Sequence, residues 1–414
     1  MRSVAVIGAG VAGLTAAYVL RDACAVTLYE AEPRLGGHAH THDIADGNGT
    51  VAVDSGFIVH NRRTYPHLLR LFAELGVATQ ATEMSMSVRC LGCGLQYAGA
   101  KGARGLFVQP PRPAYLATLA QVPRFHRRAR ALLAAPGDGP GPTLGEFLRR
   151  GRYSAHFVRH FVVPLVSAVW SCEPETVAEY PARYLFAFLA NHGMLSVTGS
   201  PTWRTVVGGS RTYVELLAKE LTAVRTAVPV RAVHRGPDGV RVRDDAGDEH
   251  RFDAVVLATH ADDALRLLAD PTAAERTVLG AFTYTVNDTV LHTDDTVLPD
   301  RPGARASWNY LLPGCDAGSG PARVTYDMSR LQRLPSRRRY LVSLNDPDVP
   351  AAAVLARMRY THPIYTPGAL TAQRRLPALN DGTTAFAGAY HGWGFHEDGC
   401  RSGVEAARSL GVAW

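Results

Sequence analysis

The first thirty residues carry the clearest pattern of apolar and polar positions. Val4-Ala-Val-Ile7 is a continuous apolar run, the signature of a short strand buried on both faces. Gly8-Ala-Gly10-Val-Ala-Gly13 follows at once, then an Ala-rich helix from Leu14 to Leu20, then a second strand from Ala25 to Tyr29 that ends at Glu30. Together they predict one βαβ unit. Near the middle, Val228 to Val233, Gly239 to Arg243 and Phe252 to Ala258 predict three meandering strands. Their turns are Gly236-Pro-Asp-Gly239 and Asp245-Ala-Gly-Asp248. At the C-terminal end, Thr384 to Ala387 predicts another strand, running into a glycine-rich loop and a helix from about Ser402 to Leu410.

The stretches between these pieces differ in character. Residues 84–200 read as mainly helical, with Pro-rich joints at Gln109 to Pro113 and Pro136 to Pro142. Residues 268–365 hold alternating runs at Tyr284 to His292, Arg323 to Met328 and Tyr340 to Leu344. The expectation is an α/β chain of two interleaved domains, one from 1–83, 201–267 and 366–414, the other from 84–200 and 268–365. A length of 414 residues suits two cores better than one. No internal repeat is apparent.

The net charge of +7 invites a nucleic-acid reading, but composition argues against it. Lys101 and Lys219 are the only lysines among 44 basic residues. Together with abundant Ala, Gly and Pro, that is the bias of a GC-rich genome, not of a basic binding face. The clusters Arg124, Arg127, Arg128, Arg130 and Arg337, Arg338, Arg339 are candidates for meeting anionic lipid head groups or a phosphorylated substrate carrier, so that at most a peripheral membrane contact is expected. No apolar run approaches the roughly 20 residues of a bilayer span. A strand entered at Val4 leaves no room for a signal peptide, so a cytoplasmic protein is expected. Six cysteines are then expected as free thiols. Cys90-Leu-Gly-Cys93 has the spacing of half a zinc site, yet no second CxxC pair follows, and a hairpin tip without metal is expected.

The glycine string carries chemistry. Gly8 permits the strand-to-helix turn, Gly10 lets the backbone approach a pyrophosphate, and Gly13 lets helix and strand pack closely. The phosphates then meet free N–H groups at the helix start. Glu30 suits ribose hydroxyls. The next residues, Glu30-Ala-Glu-Pro-Arg-Leu-Gly-Gly37, together with Asp54-Ser-Gly56, resemble the extended motif of the FAD-dependent amine oxidase and carotenoid desaturase superfamily. Trp203 to Ser210, Val230, Phe252 to His260, Phe386-Ala-Gly388, Glu397-Asp-Gly399 and Ser402-Gly403 fall in that superfamily's order. The resemblance implies a Rossmann-type FAD-binding domain with an interleaved α+β substrate domain. It implies non-covalent FAD held by Gly8, Gly10, Ala12, Gly13, Glu30, Ala31, Arg34, Gly36, Gly37, Ser55, Gly56, Val230, Gly388, His396, Glu397 and Asp398.

More narrowly, Gly36 to Thr41, Asp54 to Val59 with Asn61, Ala168 to Ser171, Asn191 to Gly193 and Gly388 to Gly399 are similar to one bacterial subfamily of predicted NAD/FAD-binding proteins. Its members often sit beside cyclopropane-fatty-acyl-synthase-type methyltransferases. That implies an unsaturated or methyl-branched fatty acyl substrate and a lipid-methyltransferase partner. Two departures weigh against amine oxidation: neither lysine suits the family's place beside the flavin, and Ala389 replaces the acidic residue that often follows F-A-G. His391 is expected to line the flavin face, with Trp393 and Tyr310 walling an apolar slot, although burial in a core also explains such aromatic residues. His38, His40, His60, His192, His391 and His396 are scattered without an H-x-x-x-H helix, so no metal is expected. Desaturation or double-bond isomerisation is the leading expectation. An amine or amino-acid oxidase and a flavin-binding scaffold for a lipid-modifying methyltransferase remain open.

Overall fold

The computed structural model describes all residues except 48, 138, 140, 197–198 and 316–319. Asp138 and Pro140, in the second Pro-rich joint, lie outside the described residues. A five-stranded parallel sheet organises the first layer. Its order is Ala223–Arg225, Cys24–Tyr29 (β2), Arg2–Ile7 (β1), Ala254–Leu257 and Thr384–Phe386. Its centre is the apolar run of β1: Val4 pairs with Val26 on one side and Ala254 on the other, and Ile7 with Tyr29 and Leu257. Val4, Ala5 and Val6 have no exposed surface, as a strand covered on both faces requires. The helix Val11–Leu20 (α1) crosses one face with every residue buried.

Two expectations for this layer are corrected. Phe252 to Ala258 is not one strand. Glu249–Phe252 alternates in burial and completes a three-stranded antiparallel sheet with Val230–Gly236 and Gly239–Asp244. The wholly buried Ala254–Leu257 enters the parallel sheet instead. Asp253 makes the switch, its carboxylate accepting from the Ser3 N–H at 2.6 Å and the Ser3 hydroxyl at 2.8 Å. The last helix runs His396–Ser409, starting six residues before Ser402. Gly399 weakens helix propensity in the sequence, but tertiary packing overrides it, because that glycine abuts Val11.

A seven-stranded mixed sheet forms the second layer, ordered Val354–Ile364, Thr283–His292, Leu341–Leu344, Arg323–Asp327, Trp308–Leu312, Met86–Cys90 and Gln96–Ala98. The hairpin at 86–98 thus joins strands two hundred residues away. Helices Pro113–Ala134, Leu144–Arg150, Val163–Trp170 and Ala182–Asn191 pack around Phe125, Phe157, Phe186 and Trp170. The Cys90–Cys93 turn caps the hairpin, and folding brings two further residues against it, Cys315 and His160, the latter closing a His156-Phe-Val-Arg-His160 pair that follows the cysteines in sequence. Among the described residues, no helix is long and apolar enough to cross a membrane.

Candidate functional site

The site gathers at the carboxyl ends of the parallel strands, where open α/β sheets bind ligands. Gly8 adopts φ +99° and donates its N–H to the Tyr29 carbonyl at 2.9 Å. A Cβ on Gly13 would lie 1.9 Å from the Gly8 carbonyl oxygen, so helix and turn meet backbone to backbone. At Gly10 the opposite holds: a Cβ there would meet nothing within 4 Å. Gly10 is also the cap residue of α1; no side chain caps the helix and no acidic residue lies in its first turn. The N–H groups of Val11, Ala12 and Gly13 therefore open a cradle with a positive dipole end, shaped for an anion.

The rim of this cradle is fixed by the residues that follow β2. Glu30 accepts from the Ala9 N–H at 2.8 Å and the Glu32 N–H at 2.9 Å, one per oxygen, leaving a lone pair on each for hydroxyl donors. Arg34 donates to the Gly37 carbonyl at 2.8 Å and pairs with Glu32 at 3.0 Å. Gly36 bridges to Gly10, and its N–H donates to Ala9 at 2.8 Å. Gly56 passes so near His38 that a Cβ would lie 2.1 Å from the His38 carbonyl oxygen. The exposed Ala31 and the start of the Val230 strand lie side by side, because the Val228 N–H donates to Glu30 at 3.0 Å.

The C-terminal loop closes the other side. Gly388 donates to Ser402 Oγ at 2.9 Å and lies beside Thr259. Ala389 to His391 form a single turn, and the His396–Ser409 helix then runs past α1 through Gly399 and Gly403. His391 Nε2 is buried without a partner among the described residues, as is Trp393 Nε1. Burial holds His391 down at about 3, so the ring is neutral. Trp393 belongs to an aromatic group with Tyr184 (6.2 Å between ring centroids) and Phe188 (5.8 Å), and its carbonyl accepts from Trp170 Nε1 at 3.2 Å.

Four expected site residues are engaged elsewhere. Glu397 accepts from the His67 and Leu68 N–H groups, both at 3.0 Å, and from His67 Nδ1 at 2.7 Å, capping the Pro66–Glu74 helix. Asp398 caps its own helix by accepting from the Phe395 N–H at 3.1 Å, and burial raises its carboxyl to about 6. The His396 ring stacks on Phe57 at 3.7 Å and bonds the Tyr213 hydroxyl at 2.9 Å. With these three side chains so engaged, the helix start has its backbone N–H groups to offer a ligand. Tyr310 is 2 % exposed and packs among Val88, Tyr97, Ala168 and Tyr326 in the mixed sheet, away from the aromatic group around Trp393. The pairing of Tyr310 with Trp393 as walls of one slot is corrected accordingly.

The family model for flavin-containing amine oxidoreductases matches residues 11–321, well over half of the chain. The chain belongs to that family. A coproporphyrinogen III oxidase of Mycobacterium leprae (strain TN) is 28% identical over 298 residues, 68% of this chain and 64% of that protein. The chain thus spans less than two thirds of the length of that relative. Cyclohexylamine oxidase from Brevibacterium oxydans IH-35A shares the fold at a TM-score of 0.73 and 18% identity, over 99% of this chain and 98% of that one. A CLA-producing fatty acid isomerase from P. acnes does so at 0.68 and 16%, over 97% of each. The architecture is therefore the α/β FAD-binding fold of the amine oxidases.

The residues present fit FAD. The open cradle at Gly10, the uncapped start of α1 and the imidazole nitrogens of His38 and His391, unpartnered among the described residues, all suit a polar ligand. The α1 N–H groups would hold the pyrophosphate, Glu30 a ribose and Val230 the adenine edge. Gly36 to His38 and Gly388 to Trp393 would flank the ring system.

This amine oxidoreductase fold also brings His42, Tyr360, His362 and Gln332, which the sequence did not single out, against motif residues. His38 lies between Tyr360 (5.0 Å), His362 (5.5 Å) and His260 (6.4 Å). Ser55 Oγ bonds the Tyr360 hydroxyl at 2.7 Å and His42 Nε2 at 2.9 Å, and His40 Nδ1 bonds the same Tyr360 hydroxyl at 3.0 Å. Burial holds His40 down at about 3, His362 at about 4 and His38 well below the ordinary range. Asp54 ties the layers together. It accepts from the Thr41 hydroxyl (2.5 Å), the Ser210 N–H (2.9 Å) and Gln332 Nε2 (2.9 Å), and burial raises it to about 6. Asp54, Ser55, His38, His40 and His260 left local signs in the motifs; their partners Tyr360, His362 and Gln332 depend on pairing across distant segments.

Proposed function

We propose that the protein is an FAD-dependent oxidoreductase acting on an uncharged hydrocarbon chain, an unsaturated or methyl-branched fatty acyl group, by desaturation or double-bond isomerisation. The observation that carries this reading is that the imidazoles at the ring end of the site are neutral, while the cations beside them, Arg34 and Arg401, are turned to the Gly37 and His391 carbonyls. His38, His40, His362 and His391 are all held neutral by burial. Glu397 and Asp398 are committed to helix caps. Lys101 donates to the Arg305 carbonyl, and Lys219 is exposed at the end of its helix. A chain without charge loses least on entering such a space.

Bound FAD would supply a two-electron acceptor for the hydride leaving one substrate carbon, with dioxygen, another acceptor or, in an isomerisation, the same substrate as the final destination of the pair. Trp393, Tyr184 and Phe188 give the chain an apolar wall and exclude water. His391 Nε2 is the atom offered to the proton that leaves the neighbouring carbon; its low basicity means it holds that proton only in passing. The likeness to a fatty acid isomerase supports the acyl reading.

The likeness to cyclohexylamine oxidase and the aromatic group at Trp393 favour a second reading, oxidation of a neutral amine. Product analysis separates the two. An acyl enzyme changes the number or position of double bonds in an unsaturated fatty acyl panel, whereas an amine oxidase releases hydrogen peroxide with amines and leaves the acyl panel unchanged. A lipid-methyltransferase partner rests on the family resemblance; co-purification with such an enzyme tests it.

A further inference from the structure

Away from the flavin cradle, three distant segments meet at the tip of the mixed sheet. Cys90 ends its strand, and the Gly94 N–H donates to the Cys90 carbonyl at 2.9 Å, while the Cys90 N–H donates to Leu95 at the same distance. That tight turn presents Cys90 and Cys93 from one knuckle. Cys315 arrives from beyond the neighbouring strand, Trp308–Leu312, which is pinned to the knuckle by the Leu91 N–H donating to Leu312 at 2.9 Å. Gly92 makes the approach possible, since a Cβ there would lie 2.8 Å from the Cys315 nitrogen. His160 comes from the helical layer, on a π-helical turn at Val158–Val162, a distortion that often marks functional positions.

The four ligand atoms of Cys90, Cys93, His160 and Cys315 all lie within 4.8 Å of one another. Cys90 Sγ and Cys315 Sγ are 3.7 Å apart, and Cys93 Sγ is 3.6 Å from His160 Nε2. A tetrahedral zinc with Zn–S of about 2.3 Å and Zn–N of about 2.1 Å has edges of about 3.8 Å between sulfurs and about 3.6 Å between sulfur and nitrogen. Both observed edges match. The histidine is already oriented: Nδ1 bonds the His156 carbonyl at 3.1 Å, which leaves Nε2 as the free ligand nitrogen, and the Tyr97 hydroxyl fixes the His160 backbone by donating to its carbonyl at 2.6 Å. All of the cysteines are free.

We propose that Cys90, Cys93, Cys315 and His160 bind one zinc ion, a closed structural site that staples the 86–98 hairpin to the mixed sheet and to the helical layer. The donor set is soft and tetrahedral, which selects zinc over hard cations. Four protein ligands leave no open position, so the ion holds the fold and does not react with substrate.

The test is the metal content of the full-length protein, purified without chelator and dialysed, by inductively coupled plasma mass spectrometry. One zinc per chain is expected, falling to background in Cys93→Ser. Cobalt added to reduced, metal-stripped wild-type protein should give the visible bands of a tetrahedral thiolate site, a readout that stands even if the variant fails to fold. Zinc-free protein that shows no such cobalt bands would overturn the proposal. So would a Cys90–Cys315 disulfide found by peptide mapping, or full zinc retention in Cys93→Ser.

Discussion

A Cβ added to Gly403 would lie 2.3 Å from the carbonyl oxygen of Ala12, so the last helix rests on the backbone of the first. Gly399 repeats the contact one turn earlier, where its Cβ would lie 2.7 Å from Val11 Cγ1. Two segments nearly four hundred residues apart in sequence thus present their helix starts to the same ligand space. Gly403→Val should cost about 3 kcal/mol of stability, at the upper end of overpacking effects, and weaken flavin retention with it. Thermal unfolding followed by flavin release checks this; an unchanged midpoint would show that the helices yield more easily than the contact implies.

Gly10→Val separates folding from binding. The new side chain would enter the cradle and meet no protein atom near its Cβ. The expected outcome is a folded, colourless protein with the wild-type circular dichroism spectrum and at least 100-fold weaker FAD binding. Yellow, FAD-loaded variant protein would place the pyrophosphate elsewhere.

The glycine turn, the opening βαβ unit and the glycine-rich C-terminal loop were legible in sequence because each depends on residues within a few positions of one another. What was not legible depends on partners far along the chain. Glu397 looks like a ligand contact until the Pro66–Glu74 helix places its N–H groups on it. Tyr360 and His362 are two positions in an alternating strand, distinguished only when pairing sets them beside His38. Cys90 and Cys93 read as half a site until His160 and Cys315 arrive. Phe252 to Ala258 reads as one strand because its switch of sheet turns on Asp253 meeting Ser3, a residue of the neighbouring strand but 250 positions away in sequence.

Asp54 joins the cradle side of the molecule to the mixed-sheet side through Ser210 and Gln332. Asp54→Ala leaves several buried donors unpaired, each costing about 1–3 kcal/mol. A loss of about 3 kcal/mol or more in chemical denaturation is expected; a loss below about 1 kcal/mol would mean water replaces the carboxylate.

His391→Ala should keep FAD and lower turnover by roughly 100-fold, the scale of proton-transfer assistance. Tyr310→Phe, in the interior of the mixed sheet, should leave turnover within a factor of about two. Flavin content and product formation, measured together, check both; equal effects of the two substitutions would remove His391 from the reacting atoms.

Stability should be acid-labile. His38, His40, His60, His192, His362, His391 and His396 have folded pKa values held below the ordinary histidine value by burial. Their contribution is full above about pH 6.5 and is lost as pH falls toward the folded values, because the unfolded chain takes up protons first. Asp54 and Asp398, raised to about 6, act in the opposite sense between about pH 4 and 6, but seven histidines outnumber them. The denaturant midpoint should be lower at pH 5 than at pH 7; an equal or higher midpoint would show that these rings are hydrated in solution.

The most direct test is the fate of the substrate chain itself. FAD-loaded protein incubated with unsaturated fatty acyl substrates, with the products resolved by mass spectrometry, should yield chains whose double bonds have changed in number or position. Unaltered acyl chains, together with hydrogen peroxide released from an amine, would contradict the account.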